Sequence, residues 1–137
     1  MSLLVKEKMQ SYKNLIVWQR AMNLVISVYA VTSRFPKEEL PPVVSEPNPL
    51  TSQTRRAIVS FVANSATGRN RSTKKDCIQF LYLACSFGAE LETRLNIAKR
   101  LQCTDATEVR KAEMSLLEAM KMLSRMISKL RSSEAVS

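Results

Sequence analysis

The sequence predicts an all-α protein, an antiparallel up-down four-helix bundle. Only two of its 137 residues are Gly, and all five Pro lie within 36–49, so nothing else in the chain interrupts a helix strongly. Apolar residues recur at three- and four-residue steps along four separate segments. The length fits one domain. We therefore predict a single domain over 1–137 with helices at about 14–35, 49–67, 73–101 and 105–131.

The first helix is predicted from an apolar stripe with helical spacing. Ser11 or Asn14 can cap its start. The stripe comprises Leu15, Trp18, Met22, Val25 and Tyr29, with Val28 and Phe35 beside it. The Pro-rich stretch 36–49 then forms the one long linker.

Local signals mark both ends of the second helix. Asn48 followed by Pro49 is typical of an N-cap and a first helical turn, and Gly68 is a natural C-terminal stop. The predicted buried face between them consists of Ala57, Ile58, Phe61 and Val62.

The third helix has the most regular pattern. Thr73 can cap it, with Asp76 three residues later in a variant of the capping box. Steps of four and three connect Cys77, Leu81, Ala84, Gly88, Leu91, Leu95 and Ala98. Gly88 inside a helix indicates that a neighbouring group approaches closely. A second apolar side consists of Phe80, Leu83 and Phe87, which favours either a deeply buried central helix or a subunit contact.

The fourth helix follows a turn around Cys103 and Thr104 and keeps the same alternation. Its seam comprises Val109, Ala112, Leu116, Ala119, Leu123, Met126 and Leu130. The residues from Ser132 to Ser137 have nothing to bury and should fray. One long and two short connections favour the up-down antiparallel arrangement.

The charge points to an anionic partner. The chain has 21 Lys and Arg against 12 Asp and Glu, a net charge of +9 and a pI near 9.8. Residues 50–75 contain no carboxylate, and their basic residues are Arg55, Arg56, Arg69, Arg71, Lys74 and Lys75. Lys74 and Lys75 would lie in the first turn of a helix, where cations oppose the helix dipole. An unfavourable placement without visible compensation indicates a functional role for these lysines.

Two interpretations of these cations remain open. The loop residues Arg69, Arg71, Lys74 and Lys75 can hold phosphate at the start of the third helix. Alternatively they are solvated loop charges, with Arg55 and Arg56 paired to Glu90 or Glu92 on a neighbouring helix.

Nothing in the sequence indicates catalysis or a cofactor. The chain has no His, which excludes histidine triads and ordinary zinc-hydrolase sites. Cys77, Cys85 and Cys103 match no metal or redox spacing and read as reduced thiols. Glu38, Glu39, Glu90 and Glu92 have no recognisable catalytic partner. Apart from Tyr12, the aromatic residues fit core packing better than base stacking. We expect a protein that is not an enzyme and holds no metal.

The expected location is the cytoplasm. Leu3, Leu4 and Val5 are followed at once by Lys6, which is too short an apolar run for a signal peptide. No apolar run approaches the roughly 20 residues that a membrane span needs.

Several motifs, read together and in order, resemble one family. They are 12–22, 35–39, 50–53, 55–57, Ser60, Asn64, Ala66, Gly68, Ser72, 74–76, 80–81, 90–93 and 98–99. In this combination the chain resembles the bacterial four-helix-bundle proteins named after 23S rRNA intervening sequences. The resemblance implies an antiparallel bundle that assembles into a ring-like homopentamer. A related branch is the accessory protein of diversity-generating retroelements, in which a basic pentamer associates with reverse transcriptase and nucleic acid.

The sequence departs from that family pattern in the linker and in the second helix. The linker is longer and richer in Pro than usual. Val62 and Thr67 occupy the positions of the family's Pro and Glu, so the usual kink and the usual Glu partner are expected to be missing. Ser65 replaces an apolar residue, which predicts a less firmly buried helix end.

The leading functional hypothesis is a basic homopentamer, without enzymatic activity, that binds nucleic acid, with RNA favoured, through phosphates. The predicted contacts are Arg69, Arg71, Lys74 and Lys75, assisted by Arg55 and Arg56, and the candidate subunit contact is Phe80, Leu83 and Phe87. Five copies would carry +45 and bind a polyanion by avidity. The alternative is an oligomeric scaffold that docks a partner protein such as a reverse transcriptase. Neither hypothesis involves a membrane or a small-molecule substrate.

Overall fold

The computed structural model describes residues 16–36, 49–71 and 73–136, and this part of the chain folds into four α-helices without a strand. They are α1 (Ile16–Ser33), α2 (Pro49–Arg69), α3 (Lys74–Arg100) and α4 (Ala106–Val136). α4 continues past the predicted end at 131, because its backbone hydrogen bonding runs on without an interrupting residue. The proposed caps Ser11, Asn14 and Asn48, together with Tyr12, Leu15 of the predicted stripe and linker residues 37–48, lie outside the described residues.

The four helices form a closed cycle of neighbours. α1 packs against α2, α2 against α3, α3 against α4, and α4 against α1. The short connections 70–73 and 101–105 reverse the chain direction, so that successive helices run antiparallel. The predicted four-helix bundle is confirmed.

The core consists of one seam from each helix. The predicted seam of α3, from Cys77 to Ala98, is buried at all seven positions. On α4 the buried seam runs from Val109 to Leu123 and then continues through Ile127, while Met126 and Leu130 are half-buried beside it.

The predicted stripe of α1 is partly wrong. The buried positions are Val17, Ala21, Leu24, Val28 and Val31. Trp18 and Val25 are half-buried against this core, whereas Met22 and Tyr29 are 38% and 39% exposed. Two adjacent stripes of this helix are apolar at helical spacing. Packing against α2 and α4 buries the stripe that was not predicted.

Buried hydroxyls in the helices bond to their own backbone. Ser65 is fully buried, and its Oγ donates to the carbonyl of Phe61 at 2.8 Å. Thr54 is also fully buried and donates to the carbonyl of Leu50. The expectation that Ser65 loosens the end of α2 is therefore wrong, because its one polar group is satisfied within the helix.

Both glycines allow close approach between helices. Gly68 lies inside α2 rather than ending it, and a Cβ there would lie 3.1 Å from Phe80 Cβ and 3.2 Å from the carbonyl oxygen of Cys77. A Cβ at Gly88 would contact the Met120 side chain and would lie 3.2 Å from Phe61 Cε2. The predicted close approach at Gly88 is confirmed, whereas Gly68 packs the end of α2 onto the start of α3.

A left-handed residue at the end of α3 was not predicted. Gln102 has φ of 56°, while neither Gly has positive φ. The amide of Cys103 donates to the carbonyl of Ala98 at 3.0 Å, and that of Gln102 to Lys99 at 3.2 Å. These two bonds form a Schellman motif that ends α3.

Candidate nucleic-acid interface

The corner between α2 and α3 is fixed by close packing and by a helix cap. Gly68 brings the last turn of α2 against Phe80 and the backbone of Cys77. Thr73 caps α3. Its Oγ1 accepts a hydrogen bond from the amide of Asp76 at 3.1 Å, and its carbonyl oxygen accepts one from the amide of Cys77 at 3.0 Å. The predicted cap at Thr73 is confirmed. The four predicted loop cations therefore lie at or beside the ends of two helices that pack closely together.

The four cations lie within seven residues of one another and are exposed. Arg69 ends α2, and Lys74 and Lys75 form the first turn of α3. The guanidinium of Arg71 lies over the Phe80 ring, with Cζ 4.5 Å from the ring centroid. That contact holds the Arg71 side chain against the bundle while leaving its N–H groups on the surface. A shallow pocket of about 310 Å³ lies beside it, lined by Ala66, Thr67, Asn70 and Arg71.

The last turns of α4 add further cations to this end of the bundle. Because α4 runs antiparallel to α3, its last turns lie beside the first turns of α3, and Arg131 Nη1 donates to the Tyr82 hydroxyl at 2.6 Å. The described side chains of 121–132 include no carboxylate. We define the basic end as Arg69, Arg71, Lys74, Lys75, Lys129 and Arg131. Its one described carboxylate is that of Asp76, in the first turn of α3.

Sequence reasoning missed the contribution of α4. A signal was present, since Lys121, Arg125 and Lys129 recur every four residues and therefore share one side of a helix. The segment nevertheless has a nearly balanced charge, because Asp105, Glu108, Glu113 and Glu118 precede its cations at 121–131. Only the antiparallel path of α4 brings its last turns beside the first turns of α3.

Arg55 and Arg56 do not join the basic end. They lie in the second turn of α2, about 20 Å of helix from Arg69 at 1.5 Å per residue. Arg55 is tied to α1: its Nε donates to Thr32 Oγ1 at 2.8 Å, and its Cζ lies 4.6 Å from the centroid of the Tyr29 ring. The expectation that these two residues assist the loop cations in one site is not supported by this placement.

The pairing expected for Arg55 and Arg56 is also wrong. Glu90 instead accepts from Arg94, one turn later on α3, with Nη2 2.9 Å from Oε1. Arg94 also reaches across to Gln53 of α2, donating from Nη1 to Oε1 at 2.6 Å. Sequence reasoning overlooked this local partner, although i,i+4 Glu–Arg spacing is a standard helix pair.

The candidate subunit contact is divided between core and surface. Phe80 and Phe87 are half-buried, Phe80 beneath Arg71 and Phe87 against the core. Leu83 is 44% exposed. The second apolar side of α3 is thus partly explained by packing within one chain, and its role as a subunit contact stays a prediction.

A more exposed apolar surface lies on α1 and α2. We call it the α1–α2 apolar patch; it comprises Met22, Ile26, Tyr29 and Val59. Ile26 is the most exposed, at 69%, and Val59 is 49% exposed. Exposed apolar side chains spaced along one side of a helix are typical of a protein contact surface.

The thiols and carboxylates of the described residues form neither a metal cluster nor an activated nucleophile. No group of three or more His, Cys, Asp or Glu could hold a metal ion there. Burial raises the pKa of the Cys85 thiol, and burial raises that of Cys77 despite the opposing effect of Arg69. Both thiols therefore stay protonated near neutral pH. Over the same residues, no helix is sufficiently long and apolar to cross a membrane.

Comparison with known proteins places this bundle among proteins of the same fold. A family model described as "23S rRNA-intervening sequence protein" matches residues 13–125. A crystal structure of a protein of unknown function from the S23 ribosomal protein family of Bacteroides thetaiotaomicron is similar, with a TM-score of 0.70 and 18% identity. The similarity covers 82% of this chain and 98% of that chain. No curated protein matches the sequence.

Proposed function

This chain belongs to the 23S rRNA-intervening sequence protein family, and from that premise we propose that it binds RNA through phosphates at the basic end of its bundle. The proposal assigns the protein no catalytic step. The observation that carries it is that one end of the bundle holds six cations, from the end of α2, the following turn, the start of α3 and the last turns of α4. The one described carboxylate among them is Asp76.

Electrostatics supports phosphate as the group that is bound. Lys74 and Lys75 are exposed at the N-terminus of α3, where the helix dipole repels cations and favours an anion. A phosphate bound there would relieve this repulsion and that between neighbouring cations. Contacts of this kind position a protein on nucleic acid without reading its sequence, so we expect little dependence on base sequence.

A homopentamer would strengthen this binding. We propose this assembly because of the family resemblance, and the α1–α2 apolar patch supports self-association. Each copy would present one basic end, and several weak phosphate contacts on one RNA would combine by avidity. The mass of five chains of 15.5 kDa, about 78 kDa, can be measured by sedimentation equilibrium. A mass of one chain at micromolar concentration would contradict the assembly.

The binding test compares two variants with the same loss of charge. The first changes Arg69, Arg71, Lys74 and Lys75 to Gln. The control changes Arg34, Arg100, Arg110 and Lys111 to Gln, all of them exposed and at the opposite end of the bundle. Affinity for a single-stranded RNA is measured for both variants and for the parent from about 50 to 300 mM salt.

We expect the parent to show a linear fall of log K with log salt, at about 0.7 per phosphate neutralised on a single strand. The first variant should lose about 3 units of this slope, since four contacts are removed, whereas the control should lose much less. Equal losses in the two variants would mean that net charge alone drives binding. No binding by the parent at the lowest salt would refute the proposed function.

A second candidate function, a scaffold that docks a partner protein, is favoured by the α1–α2 apolar patch. Its residues Ile26 and Val59 are exposed on two adjacent helices, away from the basic end. If the parent does not bind RNA, binding of a purified partner that is lost on Ile26→Asp, with the helical signal intact, would support this candidate.

A further inference from the structure

A pocket lies between the start of α3 and the end of α4, next to the basic end. Its volume is about 500 Å³, and it is open to solvent. The lining consists of Tyr82 and Cys85 from α3 and Ser124, Ile127, Ser128 and Arg131 from α4. The family resemblance and the charge analysis above assign no role to this pocket.

The pocket has a fixed cation at its rim. Arg131 Nη1 donates to the Tyr82 hydroxyl at 2.6 Å, which ties the guanidinium of α4 to the ring of α3. An Arg side chain has five N–H donors, and the bond to Tyr82 is the one that Arg131 makes to the described side chains, so four can serve a ligand. The Tyr82 hydroxyl accepts this bond and keeps its own proton to donate. The two side chains together present several donors at fixed positions.

Two serines add donors that the helix does not use. Ser124 and Ser128 are four residues apart and therefore lie on the same side of α4. Ser65 and Ser86 donate their hydroxyl protons to carbonyls four residues earlier, at 2.8 and 3.2 Å. Ser124 and Ser128 make no such bond to the described residues, so both hydroxyls are available to a ligand.

The floor of the pocket is apolar and uncharged. Ile127 is buried, and the Cys85 thiol is half-buried and stays protonated because burial raises its pKa. None of the described residues that line the pocket carries a carboxylate. A second pocket between α3 and α4, of about 360 Å³, differs in this respect because Glu92 and Glu113 line it. Of these two pockets, therefore, the one near the basic end has a lining suited to an anion.

We propose that this pocket binds one nucleoside monophosphate unit, with the phosphate on Arg131 and the two serine hydroxyls and the base against the Tyr82 ring. A bidentate guanidinium–phosphate contact is a strong, charge-assisted interaction. The Tyr82 side chain is 45% exposed, which leaves part of its ring accessible for stacking. The unit comes either from a free nucleotide or from the end of an RNA strand. The inference rests on the proposed function, because Arg131 belongs to the basic end.

The test uses the full chain and adenosine 5′-monophosphate, with adenosine and inorganic phosphate as partial ligands, in isothermal titration calorimetry at low salt. Arg131→Gln should weaken binding of the nucleotide about tenfold. Tyr82→Leu should weaken it several-fold through loss of stacking. The matched control is Arg125→Gln, which removes an exposed cation from the same helix but outside the pocket lining.

The outcomes separate this inference from the proposed function. The pocket proposal would be overturned if Arg131→Gln and Arg125→Gln lowered the nucleotide affinity equally, or if inorganic phosphate bound as tightly as the nucleotide. Either result would leave RNA binding at the basic end testable. Conversely, selective loss of nucleotide binding in Arg131→Gln with no RNA binding by the parent would refute the proposed function alone. RNA oligonucleotides with and without a 5′-phosphate distinguish a strand end from a free nucleotide.

Discussion

Replacing Gly68 with Ala tests whether the α2–α3 corner is as closely packed as the structure indicates. In a helix, Gly→Ala normally stabilises by about 1 kcal/mol through backbone propensity. Here the new Cβ would lie 3.1 Å from Phe80 Cβ, 3.2 Å from the Cys77 carbonyl oxygen and 3.2 Å from Leu81 Cδ2. Ordinary carbon contacts are at about 3.5–4.0 Å, so all three neighbours would have to move.

The neighbours of Gly68 determine the sign of the effect. The Cys77 carbonyl belongs to the backbone of α3, and the Phe80 Cβ is fixed to that backbone, so relief requires a shift of the helix start. Overpacking of this kind costs about 1–3 kcal/mol, which outweighs the propensity gain. We expect a net loss of about 1 kcal/mol in the free energy of unfolding, or roughly 4 °C in Tm for a chain of this size.

Urea and thermal denaturation followed by far-UV circular dichroism measure this change. The control is Ala63→Gly on the exposed side of α2, which reports backbone propensity alone and should cost about 1 kcal/mol. Both substitutions should therefore destabilise, although they change propensity in opposite directions. A Gly68→Ala variant that is as stable as the parent, or more stable, would refute the close packing of the corner.

Two further predictions concern the end of α3 and the thiols. Gln102→Gly should raise the free energy of unfolding by about 1 kcal/mol, since Gln102 has φ of 56° and Gly adopts that conformation without a Cβ clash. Urea denaturation midpoints measure this change, and a loss of stability would contradict it. Burial raises the pKa of Cys77 and Cys85 above the ordinary value of 9.0, so the folded chain retains thiol protons that the unfolded chain releases. Stability from these thiols is complete below pH 9.0 and is lost as pH rises through the folded pKa values. Urea denaturation between about pH 8 and 10 should show a smaller decline in a Cys77→Ala/Cys85→Ala variant, and identical declines would refute this linkage.

Local sequence signals predicted much of the fold correctly. Thr73 and Asp76 lie in a capping arrangement that depends on two residues three positions apart, and the structure contains it. The seven-residue seam of α3 was predicted fully, because its steps of four and three keep small and aliphatic residues on one side of the helix. Gly68 was misassigned as a helix stop because a sequence does not reveal whether Gly is needed for a left-handed turn or for a close contact.

The candidate site was only half predictable. Arg69, Arg71, Lys74 and Lys75 are close in sequence, so their proximity follows from chain connectivity. Arg131 is separated from them by the whole of α3 and most of α4, and its position beside Tyr82 follows from the antiparallel path of those helices. The placement of Arg55 against Thr32 likewise depends on which side of α2 faces α1.

The sequence by itself determined the four helices of the described part of the chain and, approximately, where they begin and end. It also determined that cations concentrate around the connection between α2 and α3. Only the tertiary structure decided which apolar stripe of α1 is buried, and that the end of α4 joins the basic end. The physical reason is that helix periodicity and capping act over three or four residues, so the chain carries them locally. Burial of one of two similar stripes, and the meeting of distant charges, depend on the free energy of packing all four helices together.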